Sequence, residues 1–303
     1  MGRCLCTCSG NLTIADSLVQ RPTVGPGRML LGYGHTLDSS RAGVLSVMMP
    51  IYNEERTLET ILGHVLDRPE VGEVIAVDDG SADGSWDILT RIAATDARIK
   101  PLRQSHNLGK GVALRRAISE ITRPFALVQD SDLEYDPRDY QALVEPLLES
   151  RADVVYGVRG FRGHTAYSYW FVVGNKAVTL ASNVLYDSYI GDMETCYKVL
   201  RSELWKRLNL HGSRFDIEAD ITGRVLRLGY RIHEVPIRYY ARSRADGKKL
   251  TWRDGLHAIV ALAKVRMASE KRLFGPQHDR EYHRRRNEEL SRSHPLIGHP
   301  GRS

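Results

Sequence analysis

Short apolar runs alternate with helical patterns of apolar residues from Val44 onward. The segments between the runs place apolar residues at i, i+3, i+4 and i+7, as at Leu58, Ile61, Leu62 and Val65. The runs have the length and β-branched content of buried strands, and they cover residues 44–49, 73–77, 99–102, 125–129 and 154–158. Alternation of this kind predicts an α/β fold with a mostly parallel central sheet flanked by helices.

Residues at two helix ends support this prediction. Asp136 is suited to cap a helix whose first position is Pro137, because proline has no N–H to leave unpaired there. Gly229 follows an apolar stripe over residues 217–228 and is suited to end that helix. The stripes themselves are typical of core-facing helices.

The 303 residues divide into three predicted segments. Residues 1–42 are rich in Gly, Ser and Pro without a sustained period, which predicts a loosely ordered extension. Residues 43–252 form the α/β domain, and residues 253–303 form an amphipathic helix and a basic tail. Because the apolar run 258–263 is far shorter than the ~18 residues of a spanning helix, we expect a cytoplasmic protein, peripheral at most on the inner face of the cell membrane.

Positive charge is concentrated near the C-terminus. The formal charge is +6, but residues 238–286 carry 14 Lys and Arg against 5 Asp and Glu, so the rest of the chain is slightly acidic. Within this stretch a helical stripe is flanked by basic residues and fits either a membrane-interface helix or a cover for the core. The stripe consists of Leu256, Ile259, Val260, Ala263 and Met267.

Acidic residues follow three of the predicted strands. Glu54 and Glu55 come after the first strand, Asp78 and Asp79 after the second, and the fourth is followed by an Asp-x-Asp pair, Asp130 and Asp132. Ligands of parallel α/β sheets bind at this edge, and paired carboxylates there suit a hard divalent cation that also holds phosphate oxygens. The glycine-rich loops of dinucleotide oxidoreductases and P-loop NTPases are absent, which disfavours both classes.

Four ordered motifs resemble the inverting family 2 glycosyltransferases of the GT-A fold. They are Pro50-x-Tyr52-Asn53-Glu54, Asp78-Asp79-Gly80-Ser81, Asn107-x-Gly109-Lys110-Gly111 and Asp130-x-Asp132. Three further segments are similar to the dolichyl-phosphate mannose or glucose synthase branch, namely residues 191–198, 229–236 and 242–250. The resemblance extends from about Val44 to Trp252 and implies that residues 43–252 are a GT-A catalytic domain.

The resemblance implies a site for a nucleotide-diphospho-sugar donor and for Mg²⁺ or Mn²⁺. Asp130 and Asp132, with Glu134 as a third ligand, would hold the metal against the diphosphate. Turn and capping chemistry alone would also explain two of the donor residues, Asn53 and Ser81. The implied donor-binding residues are Pro50, Tyr52, Asn53, Glu54, Asp78, Asp79, Ser81, Lys110, Asp130, Ser131 and Asp132.

The resemblance also implies transfer of a hexose from a UDP- or GDP-sugar to a polyprenyl phosphate, for which Arg159 and Lys176 are acceptor-side candidates. The phosphate-acceptor synthases often have Thr-Ser-Gly where this chain has Glu194-Thr195-Cys196. This difference leaves open a small hydroxyl acceptor, with Asp192 as the base that such an acceptor requires. The implied catalytic residues are Asp192, Glu194, Arg242, Arg244 and Lys249.

A different class of function also fits the charge distribution. The basic C-terminal stretch would suit a nucleic-acid or membrane-binding module whose donor site is inactive. The stretch has few interleaved aromatic residues and contains no recognisable nucleic-acid motif, so no nucleic acid is expected as a partner.

Overall fold

The computed structural model describes residues 28–31, 35–38, 41–160, 169–212, 216–242, 252–275 and 280–293. The chain separates into two units, Met1–Ser40 and Arg41–Ser303. In the first unit, strand β1 (Arg28–Leu31) pairs antiparallel with β2 (His35–Asp38). The predicted extension 1–42 therefore contains a small two-stranded sheet among its described residues.

The second unit is built on a seven-stranded sheet of order β5-β4-β3-β6-β8-β7-β9. The five predicted strands are all present as β3 to β7. A strand that the apolar pattern did not predict, β8, runs antiparallel to both neighbours, and its four residues begin and end with a cation. The strands are β3 (Leu45–Ile51), β4 (Val71–Asp78), β5 (Ile99–Arg103), β6 (Phe125–Val128), β7 (Val154–Arg159), β8 (Lys198–Arg201) and β9 (His233–Ile237).

Helices flank this sheet, and the predicted stripes on residues 58–65 and 217–228 face its core. All four residues of the first stripe, Leu58, Ile61, Leu62 and Val65, are fully buried. Asp136 caps a 3-10 turn that leads into the fourth helix, and its side chain accepts a hydrogen bond from the Arg138 N–H. The helices are α1 (Leu58–Leu66), α2 (Ser85–Ala93), α3 (Lys110–Ser119), α4 (Tyr140–Leu148), α5 (Tyr169–Tyr186), α6 (Ser202–Arg207), α7 (Ile217–Arg227), α8 (Trp252–Met267), α9 (Glu270–Phe274) and α10 (Arg280–Ser293).

The described residues beyond 252 pack on the same body as those before it. Phe274 of α9 belongs to the main core. His283 of α10 is buried against Tyr230, whose hydroxyl lies 2.8 Å from the His283 Nδ1. Arg286 of the same helix pairs with Asp153 at 2.8 Å. These contacts make the C-terminal helices part of the second unit.

The strand directions decide where the polar loops meet. Strands β4, β3 and β6 are adjacent and parallel, and Ile51 at the end of β3 lies opposite Asp78 at the end of β4. Strand β7 also runs parallel to β6, because β8 is antiparallel to both. The three predicted acidic clusters and Arg159 at the end of β7 therefore lie along one edge of the sheet, as the sequence predicted.

Candidate active site

A cavity of about 540 Å³ opens at this edge of the sheet. Twelve of the nineteen site residues predicted from the sequence line it. They are Pro50, Tyr52, Glu54, Asp79, Lys110, Asp130, Ser131, Asp132, Glu134, Arg159, Glu194 and Arg242. The fold thus gathers one cavity from distant loops, since Glu54 and Arg242, for example, are 188 positions apart in the chain.

Asp79 organises one wall of the cavity. Its carboxylate accepts hydrogen bonds from the N–H groups of Leu108 and Gly109, each at 2.8 Å, and from the Gln104 side chain at 2.7 Å. Gly109 has φ +98°, a backbone conformation that other residues rarely adopt. Asp79 therefore fixes the loop that leads into α3 and places Lys110, the first residue of that helix, at the cavity.

Three of the predicted donor residues lie in the turn beside this wall and do not line the cavity. The Asn53 N–H donates to Ser81 Oγ at 3.0 Å, and Asn53 Oδ1 accepts from the Ala82 N–H at 2.9 Å. Asp78 is fully buried and lies 3.1 Å from Arg103. The contacts of Asn53 and Ser81 are those of turn and capping chemistry, which the sequence left as the alternative.

Three carboxylates from the loop after β6 converge on the cavity. Burial and the neighbouring charges of Asp130 and Glu134 raise the pKa of Asp132 to about 7. Glu134 accepts hydrogen bonds from the Tyr239 hydroxyl at 2.8 Å and from the Arg242 N–H at 2.7 Å. The described residues contain no group of three or more His, Cys, Asp or Glu placed to hold a metal ion.

The donor set nevertheless fits a divalent cation that is shared with a diphosphate. Asp130 and Asp132 both line the cavity, and carboxylate oxygens are the ligands that Mg²⁺ and Mn²⁺ prefer. Burial and the two neighbouring carboxylates that raise the pKa of Asp132 disfavour its charged form, and a bound cation would favour it. Glu134, held by Tyr239 and Arg242, stays a prediction as third ligand.

Arg242 closes one side of the cavity. Its Nε donates to the main-chain oxygen of Asp132 at 2.7 Å, and its Nη2 lies 3.1 Å from Glu54 Oε2. The arginine therefore joins the loop after β3 to the loop after β6. The other two cations predicted on this segment, Arg244 and Lys249, lie outside the described residues.

A buried ion pair supports the opposite wall. The Arg159 guanidinium donates to both oxygens of Asp192, at 2.6 and 2.8 Å, and the two side chains are 4% and 0% exposed. Burial alone would raise the pKa of Asp192, but the guanidinium outweighs it and holds that pKa below its usual value. Arg159 lines the cavity and Asp192 does not. Lys176 also lies off the wall and donates to the Gly191 oxygen at 3.1 Å.

Glu194 is the carboxylate that this loop presents to the cavity. Its Oε2 accepts a hydrogen bond from the Asn175 side chain at 3.1 Å. Burial raises the pKa of Glu194 above its ordinary value. Asp192 and Glu194 therefore have different environments, although they are two residues apart. Asp192 is paired with Arg159, whereas Glu194 lines the cavity.

Further residues of the wall were not predicted. Glu218 of α7 pairs with Lys110 at 3.1 Å, and Phe171 of α5 and Asp254 of α8 also line the cavity. Glu218 lies in the first turn of a helix with an apolar stripe, where an acid is expected for helix stability alone. Only the three-dimensional structure shows that Glu218 also contacts Lys110 at the cavity.

The profile of the glycosyl transferase family 2 matches residues 46–207, more than half of the chain. The chain belongs to this family. Glycosyltransferase AglJ of Haloferax volcanii is 28% identical over 224 residues, which cover 73% of this chain and 71% of AglJ. The polyprenol monophosphomannose synthase of Mycolicibacterium smegmatis is 27% identical over 210 residues, covering 65% and 77% of the two chains.

The fold matches that of solved glycosyltransferases. Glucosyl-3-phosphoglycerate synthase from Mycobacterium tuberculosis, solved with Mn²⁺, UDP and glucosyl-3-phosphoglycerate, superposes with a TM-score of 0.56 at 20% identity, over 80% of this chain and 88% of that chain. The predicted GT-A fold and the predicted glycosyltransferase activity are therefore confirmed, and family 2 enzymes typically invert the transferred sugar. Among the described helices, none has both the length and the apolar character needed to cross a membrane.

Proposed function

We propose that this glycosyltransferase moves a hexose from a UDP- or GDP-sugar to a polyprenyl phosphate at the cytoplasmic surface of a membrane, with Mg²⁺ or Mn²⁺ at Asp130 and Asp132. The relative from Mycolicibacterium smegmatis is named a polyprenol monophosphomannose synthase, which supports a polyprenyl phosphate acceptor. The observation that carries the proposal is the apolar exposure of α5 and α8, the two helices that also line the cavity through Phe171, Asp254 and Ala258.

Helix α5 has the reverse of the usual amphipathic pattern. Its buried residues are Val178 and the polar Asn175, Thr179 and Ser182, whereas its exposed face carries apolar residues at helical spacing. Trp170, Leu180 and Val184 are 76%, 62% and 75% exposed. A helix of a water-surrounded domain normally shows the opposite arrangement, so the apolar face of α5 suits a lipid surface.

Helix α8 packs against α5 and adds a second apolar face. The Tyr186 hydroxyl of α5 donates to the Leu262 oxygen of α8 at 2.8 Å. In the stripe that fitted either a membrane-interface helix or a cover for the core, Leu256, Val260 and Met267 are exposed, and Ile259 and Ala263 are partly buried. The buried face of α8 carries Ala258 and Leu262, which were not part of that stripe. We use the term apolar faces for seven exposed apolar residues of the two helices, namely Trp170, Val173, Leu180, Val184, Leu256, Val260 and Met267.

Charge on the two helices favours an anionic lipid surface. Their only acidic residue is Asp254, which lines the cavity, whereas Lys264 and Arg266 are basic and exposed. Apolar side chains with flanking cations are the composition of helices that lie in the plane of a membrane. Two copies of the chain packed through this surface would bring like charges together, so a bilayer fits better than a dimer.

The residues of the cavity can then be given roles. A bound divalent cation would neutralise the charge that develops on the departing diphosphate. Tyr52 offers a ring face to the nucleoside, and Arg242 supplies a positive charge beside Asp132. A lipid phosphate is already anionic, so it attacks the anomeric carbon without a base while Arg159 provides positive charge on the acceptor side.

The proposal is tested by sugar transfer in vesicles. The protein, Mn²⁺, labelled UDP- or GDP-hexose and polyprenyl phosphate are combined in phosphatidylglycerol–phosphatidylcholine vesicles, and a lipid-linked product is expected for at least one donor. Val184→Asp should weaken vesicle sedimentation and transfer about tenfold, because it places a charge on the apolar face. Gln141→Asp adds the same charge to the exposed side of α4 and should behave like the parent.

A short-chain, water-soluble polyprenyl phosphate separates the two parts of the proposal. Val184→Asp should transfer to this acceptor at the parental rate, since its effect is on membrane contact. No lipid-linked product from any donor with the parent protein would reject the function. A dimer that Val184→Asp dissociates, with no vesicle binding by the parent, would show that the apolar faces hold a second copy.

Glu194 supports a second candidate, transfer to a small hydroxyl acceptor. A hydroxyl must lose a proton as it attacks, and Glu194 lines the cavity with a raised pKa, as a base requires. We propose Glu194 for this role in place of Asp192, whose oxygens are both occupied by Arg159.

Glu194→Gln distinguishes the two acceptors. If the acceptor is a lipid phosphate, kcat should stay within about tenfold of the parent, because no proton has to be removed. If the acceptor is a hydroxyl, kcat should fall about 10²- to 10⁴-fold and lose its dependence on pH at the acidic side. The measurement is the pH profile of kcat for each acceptor, with thermal unfolding as the control for folding.

A further inference from the structure

A line of alternating charges runs from the cavity into the protein. Lys110 Nζ lies 2.7 Å from Asp130 Oδ1 and 3.1 Å from Glu218 Oε1. The other oxygen of Glu218 lies 2.6 Å from Lys198 Nζ. The order is therefore Asp130, Lys110, Glu218 and Lys198, and it begins at one of the two carboxylates assigned to the metal.

The inner end of this line is fixed. Lys198 is completely buried, and its ammonium group also donates to the main-chain oxygens of Met193 and Thr195. Glu218 is consequently held in place by a cation that has no access to water. Because Glu218 is fixed, it keeps the Lys110 ammonium beside Asp130.

Lys110 therefore occupies the place of a counter-ion to Asp130. Arg242, another cation of the cavity, is directed elsewhere, since its guanidinium contacts Glu54 and the main-chain oxygen of Asp132. A divalent cation that binds Asp130 must share this carboxylate with an ammonium group, and like charges at such a site repel each other. A diphosphate would supply enough negative charge to accommodate both cations.

We propose that Lys110, positioned by Glu218, opposes binding of the divalent cation alone and makes it depend on the nucleotide diphosphate. This inference rests on the proposed donor site and is independent of the acceptor. It makes Lys110 a residue that couples two ligands, because a group that weakens one ligand alone and is neutralised by the other creates positive cooperativity. The metal would then enter together with the donor.

Mn²⁺ binding tests the inference without turnover. The free ion is measured by electron paramagnetic resonance with and without UDP, for the parent chain and for Lys110→Met. In the parent chain UDP should tighten Mn²⁺ binding at least tenfold. Lys110→Met should bind Mn²⁺ alone about tenfold more tightly than the parent, and the enhancement by UDP should shrink by a similar factor, since one charge has been removed from the site.

Two further variants control for charge and for the substitution itself. Lys110→Arg keeps the positive charge and should retain weak binding of Mn²⁺ alone. Lys100→Met makes the same replacement on β5, where the lysine is half exposed and pairs with Glu120, and should match the parent. Circular dichroism and thermal unfolding establish that each variant is folded.

Either of two results would overturn the inference. One is a folded Lys110→Met that binds Mn²⁺ alone no more tightly than the parent. The other is a parent chain in which UDP leaves Mn²⁺ affinity unchanged, and this result needs no variant at all. The Mn²⁺ measurement contains no acceptor, so it does not depend on whether a lipid-linked sugar forms in the transfer assay. Likewise, the transfer assay does not depend on whether UDP changes the Mn²⁺ affinity.

Discussion

Asp132→Asn is expected to reduce sugar transfer about 10³-fold while leaving the fold intact, because it removes a carboxylate charge from the place where the diphosphate must be stabilised. Asparagine has the same shape and can still accept the hydrogen bond that Asp132 Oδ1 receives from the Glu134 N–H at 3.1 Å. The loss should therefore appear in kcat and in Mn²⁺ affinity rather than in structure.

The same substitution is expected to stabilise the metal-free protein. A carboxyl group whose pKa is raised on folding, here from 3.8 to about 7, binds more protons in the folded state than in the unfolded state between these values. Its cost to stability therefore grows as the pH rises from 4 towards 7 and is complete above 7. Asp132→Asn should remove this cost, so at pH 8 its Tm should exceed that of the parent by about 2 °C or more.

Thermal unfolding at pH 5 and pH 8 without metal measures this effect, and transfer assays with Mn²⁺ measure the loss of activity. Asp87→Asn is the matched control, because Asp87 is exposed on α2 and does not line the cavity. An Asp132→Asn protein that transfers sugar at the parental rate would remove Asp132 from the metal site.

The sequence predicted the sheet well because buried parallel strands leave a clear apolar pattern. The strands β3, β4, β6 and β7 bury nearly continuous apolar runs, whereas β8 has four residues and begins with Lys198, so no run marks it. The edge of the sheet that carries the site followed from strand direction alone. For this reason the amino-acid pattern was sufficient to predict Asp79, Asp130 and Asp132 as residues of the site.

The sequence could not separate residues that face the cavity from their neighbours. Asn53 and Asp78 stand in the same motifs as Tyr52 and Asp79, yet their side chains hold the turn together. Neither spacing nor residue type records which way a loop side chain points. The pairing of Lys110 with Glu218 joins residues 108 positions apart, and no local pattern reports such a contact.

For helices α5 and α8, too, the sequence could not show which side chains are exposed. Their apolar residues were visible in the sequence, but an apolar stripe is equally expected for a helix that covers the core. In α5 three of the four buried residues are Asn175, Thr179 and Ser182, and only the structure shows that Trp170, Leu180 and Val184 are exposed. The preference for a lipid acceptor therefore depends on how these two helices are oriented in the fold, which the amino-acid composition does not show.

Breaking the Arg159–Asp192 pair is expected to have the largest effect on stability. Asp192→Asn leaves a guanidinium that is 4% exposed without its charged partner, and removing one partner of a buried pair costs about 3–5 kcal/mol. The Tm should fall by about 10 °C. Because the pKa of Asp192 is lowered from 3.8, the pair's contribution is fully present above pH 4 and disappears only in more acidic solution. The loss of stability should thus be the same at pH 6 and pH 8.

Arg159→Met should lower the stability by a similar amount, since it leaves the buried Asp192 carboxylate without its positively charged partner. The double variant, Arg159→Met with Asp192→Asn, has neither charge and should lose less than the sum of the two single variants, with a coupling of about 1–3 kcal/mol in urea unfolding. This outcome assigns Asp192 a positioning role, in which it holds Arg159 at the acceptor side of the cavity. A single Asp192→Asn variant that unfolds like the parent but has lost all transfer would instead make Asp192 the base, because only its chemistry would then be missing.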